Sequence, residues 1–248
     1  QITSSKAILK GIAPDGGLYM PETLTDLDFD YKNTLNMSTL EIAKYVLSTL
    51  FDDFTKDEMS ALVDKAYIGK FETDDLTPTV KVGNNFVLEL FRGPTSAFKD
   101  VALSMLPQLI TASRKKNDMT DKIVILTATS GDTGKAALEG FHDVEGTEII
   151  VFYPNDGVSA MQQHQMNTQQ GDNVYVCAIE GNFDDAQTGV KSIFTNDDIK
   201  AILSENDMEF SSANSINWGR LAPQIIYYIS SYCDLMEKGE DYLKDGFN

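Results

Sequence analysis

Lys122-Ile123-Val124-Ile125-Leu126-Thr127-Ala128-Thr129-Ser130-Gly131-Asp132-Thr133-Gly134-Lys135-Ala136-Ala137 reads as a buried strand running through a turn into a helix. Five apolar residues among the first seven leave no polar face. A strand of this kind is covered on both sides. The same unit recurs downstream. Glu148 to Tyr153 is a second apolar strand before a helix over Ser159 to Gln169, and Asn173 to Ile179 is a third, before a helix bearing Phe183, Ala186, Val190, Ile193 and Phe194. A fourth strand, Met208 to Ser211, precedes a long helix from Trp218 to Lys238. Strands alternating with helices in this way predict an α/β fold with an open parallel sheet.

Upstream, Gly11-Ile12-Ala13-Pro14-Asp15-Gly16-Gly17 is rich in turn formers. Two capping boxes then open helices, Ser38 to Glu41 and Thr55 to Glu58. Their stripes, Ala43-Val46-Leu47-Leu50-Phe51 and Met59-Leu62-Val63-Ala66-Tyr67, read as core. A strand near Thr79 to Val82 and a Gly83-Asn84-Asn85 turn lead to the strand formers Phe86 to Phe91, which stop at Gly93-Pro94. Helical spacing resumes within a few residues, so Lys99 sits just past the turn. Thr95 or Ser96 is expected to cap that helix, and Pro107 to kink or break it. A lysine near the positive end of a helix, beside Phe98, suits a nucleophilic or Schiff-base amine.

The chain has 248 residues and a net charge of −18, from 20 basic and 38 acidic side chains. That balance argues against nucleic acid or an anionic membrane as a general partner. A small anion remains compatible, because a few local donors suffice. Arginine is confined to Arg92, Arg114 and Arg220, so a planar anion clamp must use one of them. Cys177, Cys233, His142 and His164 offer no metal-ligand spacing, and two cysteines without a signal peptide suit a reducing cytoplasm. No apolar run reaches membrane-spanning length. The chain begins at Gln1 rather than methionine, which reads as a trimmed or processed terminus.

Two glycines and three hydroxyls between Ala128 and Lys135 make a cradle for an anion. It is not a nucleotide-binding P-loop, because Thr129 stands where that motif needs glycine and Ala136 where it needs Ser or Thr. Together with the lysine stretch, the loop resembles the threonine synthases, pyridoxal-phosphate enzymes of the tryptophan-synthase-β-like group, and most closely their bacterial and fungal branch. The resemblance rests on Asp15-Gly16-Gly17-Leu18-Tyr19, on Leu90 to Asp100, on Thr127 to Gly134, and on Ser212-Ala213-Asn214-Ser215-Ile216-Asn217-Trp218 with Arg220. It covers nearly the whole chain.

The resemblance implies a helical amino-terminal segment plus the Rossmann-like small domain of a fold-type II enzyme using pyridoxal 5'-phosphate. Lys99 matches the lysine that holds the cofactor and moves protons at Cα and Cβ. Thr129, Ser130, Gly131, Asp132 and Thr133 match the loop that grips the substrate carboxylate and faces the cofactor ring oxygen; many relatives outside this branch carry asparagine at the position of Asp132. Asn214, Ser215 and Arg220 match the segment binding the phosphate of O-phosphohomoserine. The expected boundaries are 1–92 for the helical segment, 93–238 for the sheet domain and 239–248 for a tail. The loop binding the cofactor phosphate, and a residue for its ring nitrogen, are expected beyond Asn248, so the chain reads as an incomplete, inactive part of the enzyme. Oligomeric state stays open. Two alternatives remain at this point: another pyridoxal-phosphate lyase or dehydratase, and a non-catalytic module holding an anionic metabolite at Ser130.

Overall fold

The computed structural model describes residues 1–22 and 31–237. The expected tail, 239–248, and the end of the last helix at Lys238 lie outside the described residues. A helical layer comes first, with α1 over Ser4–Lys10, α2 over Thr39–Leu50 and α3 over Lys56–Tyr67. Both expected capping boxes form, and they place Ala43, Val46, Leu47, Met59, Val63 and Ala66 in the core. The seven-residue α1 escaped the sequence reading because it is too short to show a stripe. Thr3 caps it, and Gly11 ends it with φ of 68°.

Strands β1, Thr79–Val82, and β2, Asn85–Leu88, form an antiparallel hairpin of their own. The expected strand up to Phe91 therefore ends early, and it is not part of the parallel sheet. Helix α4, Asp100–Lys116, follows and runs unbroken through Pro107. The proline removes one N–H and so frees the carbonyl of Leu103. That carbonyl faces Gly140 of α5, Asp132–Phe141, so closely that a Cβ on Gly140 would lie 2.2 Å from the Leu103 oxygen. Packing against α5 accommodates the proline within one continuous helix, where a kink or a break was expected.

The main sheet contains β3, Lys122–Ala128; β4, Thr147–Pro154; β5, Val174–Ile179; and β6, Met208–Ser212. All are parallel, in the order β5-β4-β3-β6. The chain steps outward from β3 to β5 through α5 and α6, Ala160–Asn167. It then returns through α7, Phe183–Thr195, and α8, Asp197–Glu205, to lay β6 on the far side of β3. Helix α8 was not expected: it is nine residues long and shares Asn196 with the end of α7, although Ile199, Ile202 and Leu203 stand at helical spacing along it.

Reversal of direction puts the helices on both faces. Ile123, Ile125, Ile149 and Val151 face α4 and α5 in the larger core, while Val124, Leu126 and Ala128 face Ala186, Val190 and Phe194 of α7 in a second one. The last helical region, expected as one rod, is three pieces: α9 over Trp218–Leu221, a 3-10 turn over Ala222–Gln224 and α10 over Ile225–Glu237. Pro223 causes the interruption, since its ring crowds the carbonyl four residues earlier. Helix α10 returns to the amino-terminal layer, where Ser230 bonds Thr39 at 3.1 Å and Asp234 accepts from the Thr79 amide at 2.8 Å.

Candidate active site

A parallel sheet opens a crevice at its carboxyl edge where strand order reverses. Here that place lies between β3 and β6, and the Ser130 loop leaves one strand while the Asn214 segment leaves the other. Lys99 reaches the crevice from a different direction, at the start of α4.

The lysine turn is built around Asp100. Its carboxylate, 2% exposed, accepts from the Thr95 amide at 2.9 Å, the Ala97 amide at 3.3 Å and the Thr95 hydroxyl. Thr95 and Ser96 therefore do not cap α4. They sit in a turn tied to its first residue, and the capping position is occupied by Lys99 itself, without a side-chain cap. Burial raises the Asp100 carboxyl above its ordinary value, and the bonds from Thr95 and Ala97 oppose that shift. The turn directs Lys99 Nζ to Asp132 Oδ2 at 2.8 Å, with Nζ 4.5 Å from the centre of the Phe98 ring.

After β3, the Thr129 hydroxyl oxygen accepts from the amides of Gly131 at 2.9 Å and Gly134 at 2.8 Å. This fastens the loop from inside, and Thr129 is 1% exposed. Gly131 adopts φ of 145°, a conformation side-chain-bearing residues rarely take, so the turn needs glycine here. Asp132 then opens α5, where the helix dipole favours its charge, and its Oδ1 accepts from the Thr133 amide. Ser130 is exposed and Thr133 partly so; among the described residues neither hydroxyl has a hydrogen bond.

After β6, Asn214 spans the crevice floor: its Nδ2 donates to the Ala128 carbonyl at 2.9 Å, and its Oδ1 accepts from the Ala128 amide at 3.2 Å. A plain helix cap is excluded for Asn214, because that place belongs to Asn217, whose Oδ1 accepts from Gly219. Asn217, completely buried, also donates to the carbonyls of Ile8 and Ser212, each at 3.0 Å. Ser215 is exposed.

Of the three arginines, Arg92 is spent on Glu72 and Glu89, and Arg114 on the carbonyls of Thr120 and Asp121. Arg220 differs. It is 1% exposed, it has no carboxylate in ion-pair contact among the described residues, its Nη1 donates to Gln224, and its Nε has no partner. Burial lowers its guanidinium to about 10, opposed by the fields of Tyr227 and Asp132. Asp132 is thus bonded to Lys99 and within electrostatic reach of Arg220, so three separate stretches converge on it. Sequence reading assigned no part to Asp100 or Asn217, although both lie inside the quoted motifs. The available signal was position alone, a carboxylate directly after Lys99 and an amide directly before Trp218.

This assembly can be set beside known proteins. A family model described as threonine synthase N terminus matches residues 1–67. Threonine synthase from Schizosaccharomyces pombe is 37% identical over 251 residues, covering 95% of this chain. The chain is homologous to threonine synthases. A crystal structure of threonine synthase from Brucella melitensis, described as PLP bound, superposes with a TM-score of 0.81 at 38% identity over 94% of this chain. A threonine synthase-like protein from Pongo abelii is 36% identical over 95% of this chain. The chain spans 46% of the fission-yeast threonine synthase, 49% of the Brucella chain and 33% of the Pongo protein. The open parallel sheet and its helical amino-terminal layer are thus those of a fold-type II enzyme.

Proposed function

We propose that this chain carries the lysine and the substrate-gripping side of a threonine synthase, which converts O-phosphohomoserine and water to threonine and phosphate. The observation that carries the reading is the 2.8 Å contact of Lys99 with Asp132, beside a buried Arg220 with no carboxylate partner among the described residues. The donor set fits pyridoxal phosphate on its reactive side: a primary amine for its aldehyde and a carboxylate near that amine. When bound, this cofactor withdraws electrons from the substrate so that protons at Cα and Cβ become acidic.

The chain's own groups do the rest. Asp132 holds Lys99 Nζ in place at the crevice. Once free of the cofactor, the Lys99 amine takes the proton from Cα and serves proton transfer at Cβ. The Gly131 and Thr133 amides are taken by Thr129 and Asp132, so the amides of Ser130 and Asp132, at the start of α5, orient the substrate carboxylate, with the Ser130 and Thr133 hydroxyls available beside them. Thr129 and Gly131 keep the loop in shape. Arg220 receives the substrate phosphate; a planar guanidinium suits it and would gain there the anionic partner it lacks. Asn214 fixes the distance between the two loops, and Ser215 offers a hydroxyl at the rim. A lyase acting on a substrate without phosphate would leave Arg220 buried to no purpose, which favours the phosphorylated substrate.

The test belongs to the protein that extends to the full length of its relatives. There, Lys99→Ala should abolish both the cofactor absorption band and turnover of O-phosphohomoserine. Turnover at the wild-type rate in that variant would sink the assignment.

A further inference from the structure

On the face of the sheet away from Lys99, a cavity of about 550 Å³ lies between α7, α8, β6 and the loop after α1. Its wall is apolar, formed largely by Ile12, Phe194, Leu203 and Phe210, with the two phenylalanine rings edge to face at 5.4 Å. Its rim is cationic. Lys10 arrives from the end of α1, Lys191 from α7 and Lys200 from α8, so three elements contribute one positive charge each to the same opening. In a chain with 38 acidic and 20 basic side chains this is a local reversal of sign. Lys200 is partly satisfied by Asp197 at 3.2 Å, and Glu209 also reaches the cavity. Lys10 and Lys191 have no ion-pair partner among the described residues.

We propose that this cavity binds a small amphipathic anion, an apolar body bearing a carboxylate. The volume suits a compact organic ligand, and the apolar wall with a few polar groups at its mouth is the usual composition of such sites. Flexible ammonium groups act as point charges and fit a carboxylate end without demanding a fixed geometry. The site is separate from the lysine crevice, but it shares β6 with it: Met208 and Phe210 line the cavity, and Ser212 on the same strand accepts from the Asn214 amide at 3.1 Å.

The experiment is a fluorescence titration of the purified chain with anilinonaphthalene sulfonate as probe, followed by competition. Octanoate should displace the probe, whereas octylamine and inorganic phosphate at the same concentration should not. The paired variant Lys10→Gln with Lys191→Gln removes charge only from exposed side chains, and should weaken octanoate roughly tenfold, as expected for two partly screened charge contacts. Equal displacement by octylamine, or unchanged octanoate affinity in the paired variant, would overturn the proposal. So would loss of octanoate binding in a longer form of the protein, which would assign the cavity to a protein segment.

Discussion

Arg220 presents a trade between stability and binding within a single side chain. Its folded value, about 10, lies below the 12.5 of an ordinary guanidinium, so burial opposes its charge and costs stability at every pH below about 10. Exchange for an apolar side chain of similar volume removes that cost, as replacement of buried ionic groups elsewhere does. Arg220→Met should therefore leave the denaturation midpoint unchanged or higher in urea, while under the proposed function a form extended to the length of its relatives should lose affinity for O-phosphohomoserine. A lower midpoint would show that Gln224 and Tyr227 compensate the charge more fully than their contacts suggest. As candidates, Lys99, Asp132 and Arg220 were legible in the sequence because each lies in a recognisable motif. Their convergence was not, because it depends on where β6 pairs, and nothing local to residues 128–135 specifies that. The task of Asn214, spent on Ala128, was equally invisible: an amide in a loop looks alike whether it faces a ligand or a neighbouring strand.

Helices show where local rules suffice and where packing overrides them. Capping boxes at Ser38 and Thr55 were readable outright, since each needs only residues within one turn. Glu58 is held below its ordinary value chiefly by the Thr55 amide, so its contribution is fully present above the unfolded value of 4.5 and is lost as pH falls through the folded value. Denaturation of wild type and Glu58→Ala should accordingly differ more at pH near 7 than near pH 3, and an unchanged difference would count against the cap. Pro107 is the opposite case. Its effect depended on a glycine 33 residues later, and no local reading anticipates that close approach of α4 and α5. Gly140→Ala adds about 1 kcal/mol of helix propensity, but overpacking against the Leu103 carbonyl at 2.2 Å costs about 1–3 kcal/mol or more. Net destabilisation, read as a lower urea midpoint, is the expected result.

At the scale of the molecule, alternation of strands and helices from Lys122 onward was enough to give the parallel sheet, but strand order was not. The order β5-β4-β3-β6 follows from the return over α7 and α8, and no local spacing of apolar residues says on which side of β3 the next strand lands. Strand β6 and the turn after it also bond the sheet to the amino-terminal layer, through Ser211 and Asn217, which both donate to the Ile8 carbonyl. A chain ending at residue 206 retains three strands but leaves β3 with one open edge. That form should aggregate on light scattering under conditions where the 248-residue chain stays clear; a clear solution would mean that another segment covers the edge. Pairing of Lys122 with Met208 has a temporal consequence as well. During synthesis β3 emerges long before its second neighbour, so the most apolar strand of the sheet waits with one flank bare. The nascent chain is thus most exposed to misassociation in the interval between the emergence of β3 and that of β6, and ribosome-associated chaperones have their natural window there.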